Sequence, residues 1–109
     1  MSQNLQEIKE QHSQIIDDVI SERMNQDNKF GAHRHHHPAE WLMILGEEVG
    51  EVNEEGINYT FKPADRLKKF YLNRMRAELV QVAAVAMAFI QDIDNHYKPN
   101  LKSDAERGR

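Results

Sequence analysis

The sequence contains no cysteine among its 109 residues. Disulfides, thiolate nucleophiles and cysteine-based zinc sites are therefore excluded. It has only three prolines and five glycines. So few punctuating residues leave most of the chain free to be helical. Long apolar runs are also missing. The longest, Val82 to Ile90, falls far short of the roughly 20 residues that a membrane helix needs. Met1 to Glu10 is polar and holds no apolar signal region. The expectation is a cytoplasmic protein with no membrane partner. An excess of positive charge is absent as well. The net charge of −4 argues against a nucleic-acid polymer as partner, but not against a small anion held through metal ions.

What is present fits one modest domain. A chain of this length builds a single core and gains further burial by pairing with a copy of itself. We expect an all-α fold: a bundle of three long helices plus a short helical turn, completed by homo-oligomerisation as a dimer or tetramer. Residues 1–97 form the domain, and residues 98–109 a disordered polar tail.

The first helix covers residues 4–26. Leu5, Ile8, Ile15, Ile16, Val19, Ile20 and Met24 recur there at helical spacing, and Asn28 and Gly31 provide the stop. Residues 32–38 form a histidine-rich loop. Pro38 suits the first turn of a second helix, which runs to about Glu55 with Gly56 as its stop. Pro63 opens a short helical turn through Phe70. The third helix runs from about Tyr71 to His96. From Val82 onward it is apolar nearly all round, which places it centrally in the bundle or at a subunit interface.

The chemistry lies on the second and third helices. At about 100° per residue, Trp41, Leu45, Val49 and Val52 share one face, which should point to the core. Glu48, Glu51 and Glu55 fall on the edge of that stripe, with Glu47 and Glu54 further round. Acidic side chains crowded beside a buried stripe repel one another. A hard divalent cation such as magnesium would compensate them. The plainer alternative is the solvated face of an amphipathic helix. On the third helix, Glu78 and Gln81 share a face just before the buried stretch. Glu78 either pairs with Arg74 or faces the Glu48/Glu51 edge and shares a cation with it. Acid pairs at i and i+3 on separate helices can surround ions in a bundle core, and two such ions suit a phosphoryl displacement.

Glu48-x-x-Glu51, then 26 residues, then Glu78-x-x-Gln81 resembles the pattern of the MazG-like and dimeric dUTPase-like superfamily. That pattern is Glu-x-x-Glu, a gap, then Glu-x-x-Asp. Lys29 to Gly31, His37-Pro38, Trp41, Ile44 to Val52 and Glu78 to Ala86 resemble its MazG-like branch, over about residues 23–95. The resemblance implies an all-α fold and a magnesium cofactor, with manganese as a substitute. It implies hydrolysis of a nucleoside triphosphate to monophosphate and pyrophosphate. It also implies assembly as dimers or tetramers. Carried over, Glu48, Glu51 and Glu78 are metal ligands, with Gln81 as a weak ligand or a holder of water. Gln81 stands where the pattern has Asp, and a neutral carbonyl should bind magnesium less tightly. Glu47 or Glu51 would take the proton of the attacking water. Lys29, Lys69, Arg74 and Arg76 are candidate phosphate contacts, or else ordinary surface charges. Trp41 either stacks on a base or packs in the core.

His33, His35, His36 and His37 crowd one loop. Imidazoles bind zinc, nickel or copper, but neighbouring loop positions do not make a preorganised site. His37, next to Pro38, is the candidate contact to substrate. Two further readings stand beside the enzyme. One is a helical module of the same ancestry that binds nucleotide or protein without turnover. The other is a dimeric adaptor with a histidine-mediated metal site.

Overall fold

The computed structural model describes residues 3–62 and 64–97. Most of them are helical, and there is no strand among them. Three helices account for nearly all of the structure: α1 (Leu5–Phe30), α2 (Pro38–Phe61) and α3 (Lys68–His96). A single 3-10 turn, Asp65–Leu67, leads into α3. The expected short turn and three long helices are therefore present. The part assigned to Pro63 and the tail beyond residue 97 lie outside the described residues.

Local chemistry sets most of the boundaries. Asn4 caps α1 by accepting the Glu7 N–H at 2.9 Å. Gly31 ends the same helix with φ +93°, a backbone angle that costs glycine little. The stop comes at the later end of the expected window. α2 opens with a reciprocal box: His37 Nδ1 accepts the Ala39 N–H and the Glu40 carboxylate accepts the His37 N–H, both at 3.0 Å. Pro38 occupies the first helical position, where its missing N–H is no loss.

Gly56 does not stop α2, which continues to Phe61. Glycine ends a helix only when it takes a left-handed angle, and Gly56 stays helical. A Cβ there would lie 3.9 Å from Met75 Cε, an ordinary contact with a side chain of α3. α3 in turn starts at Lys68, one turn ahead of expectation. The Lys68 ammonium donates to the Tyr59 carbonyl, which ties the start of α3 to the end of α2.

α1 and α2 both pack on α3, as the apolar girth of α3 implied. The core is small. Trp41, Val85 and Ala88 are buried, with Ile44, Leu45 and Phe89 packed against them. Val49, expected on the core face, is 41% exposed. The inward face of α2 is centred between Trp41 and Glu48, so Val49 falls off its edge.

Candidate functional site

α2 and α3 run antiparallel and meet along one seam. At about 100° per residue, Trp41, Glu48, Val52 and Glu55 lie within about 60° of arc on α2. On α3, Arg74, Glu78, Val85 and Asp92 share a face in the same way. The face of α2 that begins as an indole therefore ends as carboxylates. Across the seam Trp41 meets Asp92, Glu48 meets Glu78 and Glu55 meets Arg74.

At one end of the seam, Glu55 is buried and accepts a hydrogen bond from Arg74 Nε at 2.9 Å. The guanidinium itself is half exposed, and the bond to Glu55 raises its pKa further.

One turn on, Glu48 and Glu51 from α2 meet Glu78 from α3. An oxygen of each lies within 4.8 Å of the others. Burial pushes the Glu78 carboxyl up to about 7. A hydrogen bond to Glu51 and the charges of Glu51 and Glu48 add to the effect, while Arg74 opposes it. Glu48 is also raised, first by burial and then by the charges of Glu51, Glu22 and Glu47. Glu48 Oε2 and Glu78 Oε2 are buried with no hydrogen-bond partner. Carboxylates left in this state need protons or a cation. Three converging carboxylates, two of them with an orphaned oxygen, form a donor set of the kind that hard divalent cations take.

Two cavities open beside this cluster, and Glu48 borders both. One, of about 350 Å³, is lined by residues that include Lys29, Gln81 and Glu22. The other, of about 460 Å³, is lined by residues that include Gln26, Phe30, Arg34, His36 and Glu47. Its walls carry two unpaired buried polar atoms, Gln26 Oε1 and His36 Nε2. The Arg34 guanidinium lies over the rings of Phe30 and Trp41, 5.2 and 5.0 Å from their centroids.

Of the expected site residues, the structure thus brings together Glu48, Glu51 and Glu78. Glu47, Gln81 and Lys29 stand on the adjoining cavity walls. Others lie elsewhere. Trp41 is 1% exposed and donates from Nε1 to Asp92 at 2.7 Å. It is a core residue and offers no face to a base. Arg76 pairs with Asp18 of α1 at 2.7 Å, so it points away from the acidic cluster. Arg74 is held by Glu55 and reaches Glu78 only through its charge. Lys69 is exposed in the first turn of α3 and borders neither cavity. His37 caps α2.

Sequence reasoning also missed residues. Glu55 is buried within the seam rather than on its acidic edge. Asp92 is the hub of the far end. Gln26, Phe30 and Arg34 build a cavity wall from α1 and the loop. The long gap in sequence between α1 and α2's acidic stretch hid that wall, although an amide, an aromatic ring and a guanidinium so close together were a signal. Compared with protein-family models, curated proteins and solved structures, the chain matches none of them.

Proposed function

We propose that this chain is a magnesium-dependent nucleoside triphosphate pyrophosphohydrolase of the MazG-like kind, releasing a monophosphate and pyrophosphate. One observation carries the reading. Glu48, Glu51 and Glu78, from two helices, converge, and Glu48 and Glu78 each keep a buried oxygen without a partner, beside a cavity of about 460 Å³. That volume is within the range of small-molecule sites. Bound divalent ions would neutralise the triphosphate and favour ionisation of water.

The chain's own residues divide the remaining work. Glu48, Glu51 and Glu78 supply the oxygens that hold the ions. Gln81 contributes a neutral oxygen at the edge of the site. Glu47, at the cavity wall, is placed to accept a proton from water. Lys29 is the cation that borders the cavity shared by Glu48 and Gln81, so it is the phosphate contact of choice. Arg34, Phe30, Gln26 and His36 form the other cavity, with stacking surface and unpaired polar atoms suited to a base.

Homo-oligomerisation belongs to this proposal. Ile15, Ile16, Ile20 and Met24 of α1 and Leu79, Met87 and Ile90 of α3 are exposed apolar side chains. A second copy of the chain is the simplest partner to bury them.

The test mixes protein, magnesium and a panel of canonical and modified nucleoside triphosphates, and measures pyrophosphate release. Release that Glu48→Gln removes supports the enzyme. No release from any triphosphate by a folded, magnesium-binding chain supports a second reading, a binding module without turnover. Gln81 in place of a carboxylate is the feature that favours it.

A further inference from the structure

At the end of the seam opposite the glutamates, Asp92 is 2% exposed and gathers four N–H groups. Its Oδ2 accepts from Trp41 Nε1 at 2.7 Å and from the His36 backbone at 3.0 Å. Its Oδ1 lies 2.8 Å from His35 Nδ1 and 2.6 Å from His96 Nδ1. His96 Nδ1 is also 3.2 Å from the Asp92 carbonyl. The two imidazole rings stack with centroids 3.9 Å apart. Unlike the loop histidines taken alone, this group joins three elements: His35 from the loop, Asp92 and His96 one turn apart on α3, and the indole of α2 behind them.

We propose that His35, Asp92 and His96 form a binding site for a borderline divalent transition ion, zinc being the type. One nitrogen or oxygen from each of the three lies within 4.8 Å of the others. Two imidazoles and one carboxylate suit zinc, and do not suit magnesium or calcium. The division of labour within Asp92 supports the assignment. Oδ2 is locked by a buried indole N–H and a backbone N–H, which fixes the plane of the carboxylate. Oδ1 is left facing the two imidazoles. Metal sites commonly orient a ligand through such outer hydrogen bonds.

The geometry needs little adjustment. Ligands about 2.0–2.2 Å from a tetrahedral zinc stand about 3.3 Å apart. From 2.8 and 2.6 Å, the two N–O pairs must therefore open by roughly 0.5 to 0.7 Å. Both histidines can move, since their side chains are 51% and 40% exposed. Their exposure also leaves one side of the site open to water, which completes the coordination. The ion would take the place of the two protons that now bridge the rings to Oδ1. It would pin the loop between α1 and α2 to the last turn of α3. That loop carries Arg34 and His36, two walls of the larger cavity.

The experiment titrates the untagged full chain with zinc in the presence of millimolar magnesium, added to compete for the carboxylate-only cluster. Calorimetry and the thermal midpoint are read together. One zinc per chain and a raised midpoint are expected. His35→Gln and His96→Gln should each weaken binding by roughly tenfold or more, with helical circular dichroism unchanged. His33→Gln, on the same loop, should bind as the parent does. Absence of zinc binding would overturn the proposal. So would binding that survives both His35→Gln and His96→Gln, or binding lost in His33→Gln, since the loop alone would then be the ligand.

Discussion

The two ends of the α2–α3 seam hold carboxylates in opposite conditions. At one end Asp92 is more deeply buried than any glutamate of the cluster, yet its pKa is held well below the usual range. Burial alone would raise it. Hydrogen bonds from the His36 backbone, Trp41, His35 and His96 outweigh that effect. At the other end Glu48 and Glu78 are less buried and their pKa values rise. They face each other and Glu51 rather than donors. Depth of burial therefore does not separate the two ends. The supply of N–H donors does. At one end the carboxylate already has its donors, and the other is balanced only when a cation or protons arrive.

This contrast can be broken experimentally. The largest expected effect is on activity. On the proposed activity, Glu48→Gln removes a charge that bound ions would need, and pyrophosphate release should fall by about two to three orders of magnitude. The folded state should not suffer, because the same change relieves repulsion. Asp92→Ala should do the reverse. It leaves the Trp41 and His36 N–H groups without an acceptor, and should cost about 3 kcal/mol in urea denaturation.

A third test uses pH. Glu78 has a carboxyl raised from its ordinary value to about 7. Folding therefore favours its protonated form. That contribution is fully present below the unfolded value near 4.5 and is lost as pH rises through about 7. In metal-free buffer the stability should drop by about 1 kcal/mol across that window, a figure reduced for solvent screening. Saturating magnesium should flatten the curve, and Glu78→Gln should reduce the slope, leaving the smaller part that belongs to Glu48. The smallest effect is expected from Trp41→Phe. The ring remains in the core, one bond to Asp92 is lost, and stability should fall by about 1 kcal/mol.

Much of this arrangement was legible in the sequence. Periodicity located three helices, and Gly31 and Pro38 marked two of their ends. The spacing of Glu48, Glu51 and Glu78 put them on edges that do meet. Other features depend on tertiary proximity. Gly56 read as a stop because its composition signal is local, whereas the helix runs on through it to Phe61. Trp41 and Asp92 are 51 positions apart and His35 and Asp92 57, so no local pattern announces their hub. Arg74 and Arg76 look equivalent by charge. Two positions on a helix turn them about 200° apart, which sends one to Glu55 and the other to Asp18 on α1.

The matched seam also limits where the chain can change length. An extra residue inside α2 between Trp41 and Glu48 would swing everything beyond it by about 100°. The acidic face would then turn from α3 while the indole stayed in place. The same holds between Glu78 and Asp92. Insertions and deletions within this hairpin should therefore be tolerated in the connection between α2 and α3, and rejected within either helix.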